Sequence, residues 1–133
     1  MAITKNAGRQ ELVTAYVDIN LADVTTGVDV SALGLPVNAV IVSGSLTTTE
    51  AWNSTSTDVM DVGDATTQNR YLNDGNIRAL GAHVALVPTG FIHTSTQPAL
   101  TVRWVSGGGS PATGKVRLAV TYYVIGRAAF SQG

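Results

Sequence analysis

Two histidines, four closely spaced aspartates, a triple glycine and two tryptophans are the residues in this 133-residue chain equipped for chemistry. His83 and His93 would act as general bases only beside a nucleophile and an orienting carboxylate. No Gly-x-Ser-x-Gly elbow raises a serine toward either of them. Both read as loop or strand-end residues. The chain has no cysteine, which excludes disulfides and thiolate metal sites. A zinc site would therefore have to add carboxylates to the two histidines. Asp58, Asp61, Asp64 and Asp74 form an oxygen-rich set of the kind a hard cation takes, but their spacing is not that of a calcium loop. They are equally a source of paired carboxylates for glycoside hydrolysis, with nothing to set their separation. The plainer reading makes Asp58 and Asp64 turn and edge residues flanking a short strand. Gly107-Gly108-Gly109 lacks the Lys and Thr of a phosphate cradle and reads as a hairpin tip. The expectation is no catalytic residue, no metal ligand and no cofactor: not an enzyme.

The tryptophans bear on binding. Trp104 falls in phase with Leu100 and Val102 and is expected in the core, although Arg103 and Arg117 are near enough in type to suggest a base-stacking platform. Trp52 stands among Thr49, Glu50, Asn53 and Ser54. It is either an exposed sugar platform or subunit anchor, or a lid folded back over the end of the domain. With Trp52, the isolated apolar and basic residues of the chain ends, Ile3, Arg9, Arg127 and Phe130, are the candidate partner contacts.

The elements that must position these residues are strands. Residues 12–21 alternate, with Val13, Ala15, Val17, Ile19 and Leu21 on one face. Val28, Val30 and Ala32 alternate again before Gly34 and Pro36. Residues 39–49 begin apolar on both faces, at Val40, Ile41 and Val42, which suits a central or covered strand. Met60 and Val62 mark a short strand. Asn73-Asp74-Gly75-Asn76 is turn chemistry, and a single helical turn around Ile77 to Leu80 has weak support. Val84 to Val87, Leu100 to Trp104, and Val116 to Val124 complete the set. The expected core is Val17, Ile19, Val40, Val42, Val62, Leu100, Val102, Trp104, Leu118, Val120 and Tyr122. Seven or eight strands without a convincing helix predict an all-β fold, a two-sheet antiparallel sandwich that is jelly-roll-like or immunoglobulin-like, with extended termini. The expected organisation is an N-terminal arm over 1–9, a β-sandwich over 10–127 and a C-terminal tail over 128–133.

Composition agrees. The chain holds 17 Thr and 17 Val, β-branched residues that suit a pleated sheet. Charged residues make up 13% and the net charge is −1. No global field recruits nucleic acid or an acidic membrane. No apolar run reaches the length of a signal peptide core or a membrane helix, so synthesis in the cytoplasm is expected. Weak repulsion between copies suits a protein that lives packed against neighbours; a plain soluble β-domain would read the same way.

Several short runs, in order, carry a resemblance. They are Asp18-Ile19-Asn20-Leu21 with Thr25-Thr26-Gly27-Val28, then Leu35-Pro36-Val37-Asn38-Ala39, then Val62-Gly63-Asp64 with Arg70-Tyr71-Leu72. Pro88-Thr89-Gly90 and Tyr123-Val124-Ile125-Gly126-Arg127-Ala128 follow. Across about residues 12–128 the chain resembles the small decoration or cement proteins of tailed-bacteriophage capsids. The resemblance implies a jelly-roll-like virion structural protein, made in the host cytoplasm. It would sit on the capsid exterior against the major capsid protein lattice, as a dimer or trimer, with no catalytic residues. The competing expectation is a carbohydrate- or receptor-binding module of a head fibre or tail. That module would need Trp52 exposed in a cleft with Asp and Asn side chains.

Overall fold

The computed structural model of the protein describes residues 11–126. Nine strands cross it: β1 (Val13–Asn20), β2 (Asp29–Gly34), β3 (Ala39–Glu50), β4 (Asp58–Gly63), β5 (Leu72–Asn76), β6 (His83–Ala85), β7 (Ile92–His93), β8 (Ala99–Ser106) and β9 (Lys115–Val124). Among the described residues the only helical piece is a 3-10 turn at Leu21–Asp23. No helix there is long and apolar enough to cross a membrane.

The strands form two antiparallel sheets. One has the order β1-β9-β3-β6, with β7 also pairing β3; the other has the order β2-β8-β4-β5. The pairings nest. β1 pairs β9, β2 pairs β8, β3 pairs β6 and β7, and β4 pairs β5. A long hairpin rolled once across two sheets gives this order, which is the jelly roll. The expectation of a two-sheet jelly-roll sandwich is met, with nine strands rather than seven or eight.

Alternation builds the core. On β9, Val116, Leu118, Val120, Tyr122 and Val124 turn inward; on β8, Leu100, Val102 and Trp104 do the same. Ile19, Leu46, Met60, Val62 and Tyr71 fill the space between the sheets. Burying an aliphatic or aromatic side chain of this size stabilises the fold by about 1.5–3 kcal/mol.

Three expectations need correction. Residues 73–76, read as a turn, lie in β5, because Val59, Met60 and Val62 of β4 hold that polar segment in a ladder. The carboxylate of Asp61 accepts the Asp74 backbone N–H at 2.6 Å. Ile77 to Leu80 forms no helix; Ile77 is instead buried, its N–H donating to the Asp58 carbonyl. In β3 the core residues are Ala39, Ile41 and Leu46, while Val42 is half-buried and Val40, though buried, lies outside the main cluster. The cause is a bulge. Ile41 pairs Tyr122 and Ser43 pairs Thr121, so Val42 is the extra residue. Odd positions face inward before it and even positions, Gly44, Leu46 and Thr48, after it.

Candidate functional site

At one end of the sandwich the chain wraps the Asp58 carboxylate completely. Asp58 begins β4 and points between the sheets, and its side chain is wholly buried. It accepts from the Trp104 indole N–H at 3.1 Å, the Ser54 hydroxyl at 2.7 Å and Arg78 at 3.1 Å. Arg78 also donates to the Ser54 carbonyl and hydroxyl, tying the β3–β4 loop to the segment after β5. Trp52 lies against Trp104, ring centroids 5.3 Å apart, and covers this knot. It is 1% exposed. The lid reading of Trp52 holds and the exposed-anchor reading does not. Gly114 permits it, since a Cβ there would overlap the indole.

The other end carries a second polar assembly. Asp64 closes β4 as an Asx turn, accepting the backbone N–H groups of Thr66 and Thr67 at 3.0 and 2.8 Å and the Arg70 guanidinium. Arg70 lies flat over Phe91, 3.5 Å from the ring centroid. Burial alone would push Asp64 up; the Arg70 bond and the two backbone donors outweigh it and hold the carboxyl below 3.8. Tyr71 bonds His93 Nε2 through its hydroxyl at 2.7 Å. Burial, with the Asp64 charge, pushes the Tyr71 phenol up to about 12, so it keeps its proton at neutral pH. The other ring nitrogen of His93, Nδ1, lies 3.9 Å from Asp64. Burial holds His93 below 6.5, with Asp64 pulling it up and Arg70 pushing it down. An Asp–His–hydroxyl order is the order of a nucleophilic triad. Here the hydroxyl belongs to Tyr71, 1% exposed, and the relay ends inside the core. A cleft of about 370 Å³ opens beside it, bounded by Asp64, Thr66, Phe91, His93, Gln97 and Thr101.

The four aspartates do not converge. Asp58 and Asp64 stand at opposite ends of β4, each with its own arginine, and Asp61 caps a backbone N–H. Among the described residues no group of three or more acidic or histidine side chains is placed to hold a metal. His83 sits on β6, its Nδ1 2.7 Å from the Thr47 hydroxyl. Ile3, Arg9, Arg127 and Phe130 lie outside the described residues. The relay of Tyr71, His93 and Asp64 escaped the sequence because its members sit far apart in the chain. The Asp64-Ala65-Thr66-Thr67 turn alone left a local signal.

What remains for partners is surface. The outer face of the first sheet carries Thr14, Tyr16 and Asp18 of β1, Arg117, Ala119 and Thr121 of β9, and Ser43, Ser45 and Thr47 of β3. It is hydroxyl-rich and crossed by one ion pair among the described residues, Asp18–Arg117 at 2.8 Å. Val13 pairs Tyr122. The chain therefore enters and leaves the sandwich at one corner, beside exposed Leu12 and Ile125.

No family model matches the sequence, and no curated protein matches it. Solved structures do match in fold. A chain in the capsid asymmetric unit of cyanophage Pam1 superposes with a TM-score of 0.70 at 23% identity, over 93% of this chain and 92% of that one. A chain in the capsid of Ralstonia phage GP4 gives 0.64 at 21%, over 96% and 91%. A chain in the acidic stable capsid structure of Helicobacter pylori bacteriophage KHP30 gives 0.59 at 18%, over 86% and 93%. The fold is shared with chains of three phage capsid structures.

Proposed function

We propose that this protein is a structural component of a phage virion that binds the outside of the capsid and cements or decorates the major capsid protein lattice. It acts as a small homo-oligomer, with no catalytic role and no cofactor. The observation that carries this reading is the end-to-end likeness to chains in three phage capsids. Coverage is high in both directions, so each of those chains is about as long as this one. A jelly roll of that size is suited to bridge larger neighbours. Many weak contacts repeated by symmetry add up by avidity. The hydroxyl-rich sheet face and the corner at Leu12 and Ile125 provide such contacts. The carbohydrate-binding alternative required an exposed Trp52, and Trp52 is buried against Trp104.

The test mixes full-length protein with shells assembled without it, then sediments and images them. Saturable binding in a regular array, with shells that withstand higher temperature, is expected. Absence of binding to intact shells would remove the proposal. A chain lacking residues 1–9 and 128–133 should keep its β-rich circular dichroism but bind shells more weakly. Equal binding would take the ends out of the interface.

A further inference from the structure

The four sheet edges differ. β2 is bulged between Ser31 and Leu33, β5 has five residues with an irregular ladder, and β6 and β7 have three and two. Short or bulged edges resist pairing with other chains. β1 has none of these protections. Its eight residues pair β9 without a break and, among the described residues, have no strand on the other side. The strand contains no proline, no lysine and one charge, Asp18, which Arg117 already neutralises. Its core-facing residues are also under-covered. Ala15 and Val17 are half-buried and Val13 is 39% exposed; Val30 and Ala32 of β2, across the same open side, are half-buried too. An unpaired backbone edge and an unfinished apolar seam lie side by side.

We propose that two copies of this chain join antiparallel through β1, with Tyr16 on the two-fold axis. Strand addition of this kind gives affinity through main-chain hydrogen bonds, and a two-fold contact uses the same patch on both copies. The polarity of β1 is symmetric about Tyr16. Val13 meets Ile19, Thr14 meets Asp18 and Ala15 meets Val17, so apolar faces apolar and no like charges oppose. The lengths outside the strand fit as well. In this register Leu12 and Glu11 of one copy fall opposite Asn20 and Leu21, where the Leu21–Asp23 turn of the other begins. Residues 1–10 carry Lys5 and Arg9, and the turn carries exposed Asp23, which has no cation partner among the described residues. The joined sheets would run continuously through both copies and close both seams. This inference stands on the edge geometry, not on the capsid reading.

The chain has no cysteine, so a single introduced thiol is unique. Residues facing each other across antiparallel strands have Cα atoms about 4.5–5.5 Å apart, within the range a disulfide spans. Full-length Tyr16→Cys, oxidised with diamide, is expected to convert almost fully to a covalent dimer with unchanged circular dichroism. Ala85→Cys on the β6 edge should remain monomeric on the same gel. Unmodified protein should sediment at about twice 13.8 kDa. Cross-linking of Tyr16→Cys no faster than Ala85→Cys, or a monomer or trimer in sedimentation, overturns the proposal. So does a protein that dimerises only once residues 1–10 are removed, since its own N-terminal segment would then occupy the edge. Shell binding, measured in parallel, separates this outcome from the capsid reading.

Discussion

Asp58 and its neighbours show how much one buried charge can organise. Three donors meet its oxygens, and one of them is the indole of Trp104. The Trp52 indole N–H, also buried, has no hydrogen-bond partner in the protein. The two tryptophans therefore differ in what they lose when shortened to phenylalanine. Each loses similar volume, but Trp104→Phe also strips a donor from a buried carboxylate, a bond worth about 1.5–3 kcal/mol. Urea unfolding should show Trp104→Phe destabilised by about 2 kcal/mol more than Trp52→Phe. Equal losses would remove Asp58 as the organising group. The sequence placed Trp104 in the core by its phase with Leu100 and Val102, but left Trp52 open. Nothing local says that a tryptophan in a polar loop will fold over Gly114.

His93 makes a pH prediction at the same scale. Its folded-state pKa lies below the unfolded 6.5, so below that value the unfolded chain binds more protons. Stability is intact above pH 6.5 and falls as pH drops through the interval down to the folded value. Asp64, held below 3.8, contributes stability above that pH and loses it as pH falls further. The melting temperature should thus be flat near pH 7–8, drop by a few degrees as pH falls below 6.5, and drop again below 3.8. His93→Gln should abolish the first drop and keep the second. A first drop that survives in His93→Gln would assign it to another group.

At the scale of the element, β3 is the instructive strand. Its start, Val40-Ile41-Val42, is apolar on both faces and reads equally well in either phase. The bulge at Val42 uses both phases in turn. Periodicity cannot find such a switch, because each half obeys the rule and only the junction breaks it. β5 was hidden for a different reason: Asn73, Asp74 and Gly75 are turn residues by type, and the ladder with β4 overrides that preference. β1, β8 and β9, regular throughout, were legible almost to the residue. The bulge yields a sharp contrast. Deleting Val42 leaves Ile41 and Ser43 adjacent, matching their consecutive partners Tyr122 and Thr121, so both core faces stay in place. That deletion should fold and lose about 1–2 kcal/mol. Deleting Ser45 instead turns Leu46 and Thr48 outward and should abolish cooperative unfolding in urea. If the Val42 deletion is as damaging as the Ser45 deletion, the assigned phase switch is wrong.

At the scale of the whole molecule, the arginines among the described residues are already engaged. Arg70, Arg78, Arg103 and Arg117 each pair with an aspartate of the same chain. With a net charge of −1 and 13% charged residues, few cations remain to hold a partner. In the proposed capsid role, attachment would then rest on apolar contacts, backbone pairing and Thr or Ser hydrogen bonds. Such contacts respond weakly to salt. Raising ionic strength from about 0.1 M to about 1 M shortens the screening length from ~10 Å to ~3 Å. The protein should nevertheless stay with its shells in a sedimentation assay. Full release into the supernatant would show that a few charges, such as Arg9 or Arg127, carry the attachment.

The nested pairing has a kinetic consequence. Thr14 touches Thr121, 107 positions away, while β4 and β5 are near neighbours in the chain. Closing the long loop is entropically expensive until the inner pairs exist. Folding should then zip outward from the β4–β5 hairpin, through β3 and β8, with β1 settling last. On the ribosome β1 is among the first strands made, yet its partner β9 emerges after all the others. For most of its synthesis the chain therefore carries an unclaimed strand. The strand that waits longest for its intramolecular neighbour is the one whose outer edge is unpaired among the described residues.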